Sequence, residues 1–222
     1  MILLSQRQAA EILAQFGAGA EARVSLDLGR TEATVALEDG AVRLADGERV
    51  SVEDLKRVAK CDDSVFAVRR GAVEKLITYS EATRRSYKLR PTADWPALEV
   101  SGVLMHRIRG TTPREDARAK LRLVAPVLGA VLDTCMGLGY TALLAAETAA
   151  AVTAVEKDEN VVALARLNPW SQPLFGNPRI KLVAGDAVEV AAGLPDASFD
   201  LVDHDPPTLS VAGELYSDAF YE

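Results

Sequence analysis

The chain has 222 residues, 49% apolar and 5% aromatic, with a net charge of −7, which fits an ordinary globular protein of one sizeable domain or two small ones. Two cysteines, Cys61 and Cys135, exclude a disulfide framework and point to a reducing, cytoplasmic compartment. The start, MILLSQRQ, has neither a basic leader nor a long apolar stretch, and the run from Leu143 to Val155 is interrupted by Glu147, so no membrane association is expected.

The first third reads as short pieces. SQRQAAEILAQFG predicts a helix, with Ser5 and Gln8 spaced as a capping box and Gly17 as the stop. ARVSLDL, ATVALEDGAVRL and ERVSV predict strands turning at Asp39-Gly40 and Asp46-Gly47. VEDLKRVAK predicts a short helix opened by Ser51, and a further hairpin is expected at Arg70-Gly71, between SVFAV and AVEKLITYS. Residues 1–100 thus read as a small α+β domain.

Residues 101–129 read as a connector and a leading helix, in which Thr112 serves as N-cap, Pro113 opens the first turn and Glu115 completes a capping box. From residue 130 to 222 buried strands alternate with Ala/Leu-rich helices, which predicts an α/β, doubly wound parallel sheet. Strands are expected near Val131–Thr134, Val152–Glu156, Ile180–Gly185 and Leu201–Asp205. Only four are countable, so the sheet reads as truncated after its fourth strand, either because this is a fragment or because further strands come from elsewhere.

Charge is segregated. Residues 1–130 carry 21 Lys/Arg against 18 Asp/Glu, whereas residues 131–222 carry 4 against 14. The segment 84–122 holds 10 basic and 4 acidic residues. It reads either as a solvated surface or, with Tyr87 and Trp95, as a contact for RNA.

Four acids follow apolar runs in the second half: Asp133, Glu156, Asp186 and Asp205, at intervals of 23, 30 and 19 residues. Each interval suits one strand-plus-helix unit, so these carboxylates converge at the C-terminal ends of parallel strands, where ligands bind in such sheets. Around Asp133, LDTCMGLGYTALLAA places Gly137 and Gly139 where backbone could approach a ligand. No Lys-Ser/Thr follows, so it is not a phosphate-binding P-loop. His106 and His204 are the sole histidines and, with two distant cysteines, show no metal-ligand spacing. His204 either lines the pocket or is structural; Asn168-Pro169-Trp170 either shapes the pocket or packs a helix end.

The segment LDTCMGLG resembles motif I of the class I S-adenosylmethionine-dependent methyltransferases, with Cys135 in place of the first glycine. The resemblance implies a Rossmann-like fold and a cofactor site at Asp133, Cys135, Gly137, Gly139, Glu156, Lys157, Gly185, Asp186 and Ala187. Within it, Glu156 would take the ribose hydroxyls and Asp186 the adenine amine; each acid alone also reads as a helix cap or surface carboxylate. Asp205-Pro206-Pro207-Thr208 resembles the (D/N)PP(Y/F) motif of methyltransferases acting on planar amino groups. It implies that Asp205 and the Pro206 carbonyl, fixed by Pro207, accept hydrogen bonds from a nitrogen and aim it at the methyl. Alternatively, Pro-Pro merely ends a strand.

GVLMHRIRGTTPREDARAK, ARLNPWS and HDPPTLSVAGELYS together resemble a mainly prokaryotic family of predicted methyltransferases with a small N-terminal domain. DPPTLS is also similar to the DPPTFS of ribosomal RNA methyltransferases, which implies an RNA substrate. Two alternatives stay open. FDLVDHDPP followed by ELYSDAFYE resembles the spermidine synthases, which implies aminopropyl transfer with Asp203 and Asp205 holding a polyamine. The third reading is a non-catalytic scaffold of the same fold.

Overall fold

The computed structural model of the chain describes residues 1–15, 21–44 and 47–222. The expected helix stop at Gly17 and the Asp46 half of the second turn lie outside the described residues. The chain divides into two compact units, Met1–Glu99 and Val100–Glu222.

In the first unit, β1 (Ile2–Leu4) is followed by α1 (Gln6–Gln15), then β2 (Glu21–Val24), β3 (Ala33–Glu38), β4 (Ala41–Arg43), β5 (Arg49–Ser51) and α2 (Val52–Ala59). The Ser5 amide donates to Gln8 Oε1 at 3.2 Å, closing the expected cap of α1, and Ser51 Oγ accepts from the Asp54 amide at 3.0 Å to open α2. Strands β2 to β5 form an antiparallel sheet in sequence order. The turn between β3 and β4 has φ of 34° at Asp39 and 76° at Gly40. Two successive positive φ values match the right-handed twist of a two-residue hairpin. Arg70 and Gly71 repeat that turn between β6 (Phe66–Arg69) and β7 (Ala72–Lys75), with φ of 51° and 78°.

Three features of this unit depart from the sequence expectation. β1 pairs antiparallel with β6, Leu3 opposite Ala67, although three residues are too few to show strand periodicity. AVEKLITYS is not one strand. It breaks at Leu76 into β7 and β8 (Ile77–Ser80), which belong to different sheets. RSYKLR, read as part of a basic stretch, is the strand β9 (Arg85–Arg90), and β10 (Ala97–Val100) follows it. Tyr87 is fully buried and Trp95 nearly so, so neither ring offers a face for base stacking. Lys88 pairs with Asp63 at 3.1 Å and Glu99 at 3.2 Å, and Arg90 pairs with Glu99 at 3.3 Å, so part of the positive stretch is neutralised within the unit.

The second unit opens with β11 (Val103–Leu104) and α3 (Pro113–Arg122). Thr112 and Glu115 form the full capping box of α3, each side chain taking the other's amide, at 3.3 and 3.2 Å. Then come β12 (Ala130–Asp133), α4 (Tyr140–Ala145), β13 (Ala151–Glu156), α5 (Glu159–Leu167), a 3-10 helix over Pro169–Phe175, β14 (Ile180–Ala184), α6 (Ala187–Ala192) and β15 (Leu201–Asp203). A 3-10 turn, Gly213–Tyr216, and α7 (Asp218–Tyr221) end the described chain.

The sheet order is β14-β13-β12-β15, and the β12–β13, β13–β14 and β12–β15 pairs are all parallel. This is the Rossmann-like arrangement, in which the chain crosses over between β12 and β15 and opens a crevice at the strand C-termini. Val131, Leu132, Val152, Ala154 and Val155 fill the centre, because a parallel sheet covered by helices buries both faces of its inner strands. No helix among the described residues is long and apolar enough to cross a membrane.

Candidate functional site

The crevice begins between β12 and β15. Asp133 ends β12 directly opposite Asp203 of β15. Asp133 is buried and accepts the Cys135 amide at 3.1 Å. Burial first, and then the charge of Asp203, push its carboxyl well above the usual range. Asp203 is raised as well, by burial and by Asp205. Acids gathered at this depth oppose one another's ionisation, which favours the neutral form of the buried ones.

The turn after β12 is built from both sides. Gly137 donates to Glu156 Oε2 at 3.0 Å, and Asp158 donates to Glu156 Oε1 at 2.9 Å. Burial raises the Glu156 carboxyl, against the lowering effect of those two amides. From the other side, Ser171 Oγ donates to the Leu138 carbonyl at 2.7 Å, and buried Asn168 donates to Ser171 Oγ at 2.7 Å and to the Tyr140 hydroxyl at 2.8 Å. Asn168 thus supports the glycine turn from within the protein; Ser171 and Tyr140 were not singled out in the sequence.

The two glycines of the turn differ. A Cβ on Gly137, with φ of 55°, would meet nothing within 4 Å, so its backbone faces open space. A Cβ on Gly139, with φ of 74°, would lie 2.7 Å from Leu174 Cδ2, so that glycine serves internal packing. Gly185 is similar, its added Cβ meeting Val190 Cγ2 at 3.1 Å. Cys135 is half-buried, and burial pushes its thiol up to about 12, so it stays protonated and un-nucleophilic.

Asp186 lies two residues past β14 and caps α6, accepting the Val188 amide at 2.9 Å. Its other oxygen faces Lys157 Nζ at 3.3 Å, and Lys157 also reaches Glu214 at 3.0 Å. Ala187 packs with Ala212 and Leu215, alongside Cys135 and Phe220.

Asp205 lies two residues beyond β15. Its Oδ2 is 2.5 Å from the ammonium of Lys120 on α3, a partner that no motif indicated. The Tyr216 hydroxyl donates to the Pro206 carbonyl at 3.2 Å and to the Pro207 carbonyl at 2.8 Å. His204 Nε2 lies 2.8 Å from the Leu215 carbonyl, and Nδ1 lies 2.8 Å from Thr134 Oγ1. A carbonyl only accepts, so Nε2 carries a proton, and in the neutral ring Nδ1 accepts from the threonine. The ring also stacks on Phe220 at 4.6 Å. His204 therefore anchors the segment after β15 to the turn after β12.

Residues 132–203 match the methyltransferase domain family, a span running from β12 to the end of β15. S-adenosylmethionine is the cofactor of such a domain, and the residues present fit it. Glu156 retains lone pairs for hydroxyl groups, and Gly137 leaves its backbone approachable.

A protein of Methanocaldococcus jannaschii, Uncharacterized protein MJ1233, is 40% identical over 204 residues, covering 90% of this chain and 69% of its own length. The chain belongs to the MJ1233 family. Polyamine aminopropyltransferase 2 of Streptomyces coelicolor is 29% identical over 127 residues, covering 52% of the MJ1233-family chain and 22% of the transferase. A crystal structure of spermidine synthase in complex with the transition-state analogue AdoDATO superposes with a TM-score of 0.51 at 19% identity, over 65% of this chain. The chain spans 51% of that synthase, so the likeness is one of fold.

Proposed function

We propose that this MJ1233-family chain is an S-adenosylmethionine-dependent methyltransferase that acts on a nitrogen acceptor. The observation that carries the reading is the tie between Gly137 and Glu156 within a span matching the methyltransferase domain. It presents an approachable backbone and a half-buried carboxylate side by side at the ends of β12 and β13. When bound, the cofactor supplies a methyl group on a sulfonium, open to in-line displacement.

The chain's own residues bind and orient. Glu156 takes the ribose hydroxyls and Asp186 the adenine amine, in the reading where Lys157 gives up part of its contact with Asp186. Asp205 and the Pro206 carbonyl accept hydrogen bonds from the acceptor nitrogen, and Pro206-Pro207 hold that carbonyl in place. Positioning of this kind is the main demand of displacement at a sulfonium. A base nitrogen in RNA meets the requirement of a planar amine, and Arg109, Arg118 and Arg122 are exposed on this unit to meet phosphates.

Aminopropyl transfer is the second reading, favoured by the identity with the Streptomyces transferase and by the acids at Asp203 and Asp205. Calorimetric titration with S-adenosylmethionine and with its decarboxylated form separates the two. Preference for the intact cofactor supports methyl transfer; preference for the decarboxylated form replaces it with aminopropyl transfer. Binding of neither leaves a scaffold.

A further inference from the structure

Asp205 is held by a cation from the leading helix. Lys120 Nζ lies 2.5 Å from Asp205 Oδ2 and 2.8 Å from Asp116 Oδ2, so one ammonium sits between two carboxylates. Arg107 approaches Asp116 from a further side at 3.9 Å. Lys120 is partly buried. Burial alone would lower its pKa, but the hydrogen bonds to Asp116 and Asp205 outweigh it, and the lysine stays charged. The cofactor-side acids have separate partners: Glu156 takes the amides of Gly137 and Asp158, and Asp186 takes Val188 and Lys157.

We propose that Lys120 is a specificity-determining residue of the acceptor site, filling the cation position at Asp205 so that alkylammonium acceptors are turned away and a neutral nitrogen is admitted. The inference rests on the reading of Asp205 as the acceptor's partner. An incoming ammonium must displace one already held by two carboxylates, exchanging like for like and paying for desolvation besides. A neutral amine needs no exchange, because an ionised carboxylate has about four lone-pair sites and one ammonium leaves others to accept from an N–H. Removing the lysine charge would leave Asp205 without its ammonium and Asp116 with only the longer contact to Arg107. Two such carboxylates repel and attract any cation that fits between them.

The test is calorimetric titration of spermidine into the full chain at low salt, for the parent, Lys120→Met, Lys120→Arg and the double variant Lys120→Met with Asp205→Asn. Lys120→Met is expected to bind spermidine at least about tenfold more tightly than the parent, while Lys120→Arg shows no gain. Adding Asp205→Asn is expected to abolish the gain. Equal affinity in the parent and Lys120→Met overturns the proposal, as does a gain that survives Asp205→Asn. Lys120→Gln, which keeps a donor beside both carboxylates, replaces Lys120→Met if circular dichroism shows the methionine variant to be misfolded. Titration of the same proteins with S-adenosylmethionine reads the methyltransferase assignment separately. A parent that binds no cofactor removes that assignment, whereas the spermidine comparison reports on Lys120 alone.

Discussion

The amide of Gly137 donates to Glu156 Oε2 at 3.0 Å, joining the turn after β12 to the last residue of β13. With Asp158 on its other oxygen at 2.9 Å, Glu156 ties two loops together. In the proposed ribose-binding role, the two amides would hold the carboxylate in position and so reduce the ordering cost of binding.

Glu156→Ala leaves the amides of Gly137 and Asp158 without their acceptor. We expect a loss of about 1–3 kcal/mol in unfolding free energy, measured in urea. The affinity for S-adenosylmethionine should fall about a hundredfold by calorimetry. Glu156→Gln keeps one acceptor oxygen and should fall between the two. Unaltered affinity in Glu156→Ala removes the ribose role.

The two glycines of the turn should separate stability from binding. Gly139→Ala drives a methyl to 2.7 Å from Leu174 Cδ2 at a positive φ of 74°. A cost of about 2–4 kcal/mol follows from overpacking and left-handed strain together. Gly137→Ala meets open space, so only the strain of φ 55° remains, about 1–2 kcal/mol, while the added methyl obstructs the cofactor. Denaturation and cofactor titration of both variants check the pair. Unchanged binding in Gly137→Ala would take that glycine out of the cofactor site.

Asp205→Ala should bind S-adenosylmethionine within about twofold of the parent, because its carboxylate contacts Lys120 and not the cofactor-side acids. Transfer of label from radioactive S-adenosylmethionine to a cell extract should be lost. Tyr216→Phe removes the hydroxyl from the Pro206 and Pro207 carbonyls and should alter transfer without changing cofactor affinity. Full transfer by Asp205→Ala takes that residue out of the mechanism.

His106 supplies the pH dependence. Its ring packs 5.2 Å from Tyr140, and burial, aided by the Lys120 charge, lowers its pKa from 6.5 to about 4 against the opposing pull of Asp205 and Asp116. The unfolded chain therefore takes up this proton first as pH falls. The stability contribution is complete above 6.5 and is lost as pH falls from there towards 4. Its full extent is about 3 kcal/mol. Melting temperatures of the parent should fall across that window more steeply than those of His106→Phe. Parallel curves would show that another group controls the acid limb.

The legible parts of the site are those whose chemistry repeats along the chain. Asp133, Glu156, Asp186 and Asp205 stand out because strand-helix units space them regularly, and Gly137 and Gly139 because only glycine tolerates such a turn. Lys120, Ser171, Tyr140 and Tyr216 carry no comparable signal. Lys120, Ser171 and Tyr140 act on residues far along the chain, as Lys120 does on Asp205 at a separation of 85 residues, whereas Tyr216 reaches back 9 and 10 residues to the two prolines. The short strand β1 was likewise hidden, since its pairing with β6 is decided by a partner more than sixty residues away.

The amino-acid order by itself determined the parallel sheet, the hairpins at Asp39-Gly40 and Arg70-Gly71, the caps of α1, α2 and α3, and the set of acids at the strand ends. These depend on backbone conformation and on periodic burial, which are local properties. Tertiary structure alone decided that Gly139 serves Leu174 while Gly137 stays open, and that Tyr87 and Trp95 are buried. It also decided that Asp205 meets an ammonium and that His204 ties two loops together. Those outcomes depend on which side chains share a volume, and the packing of distant segments sets that.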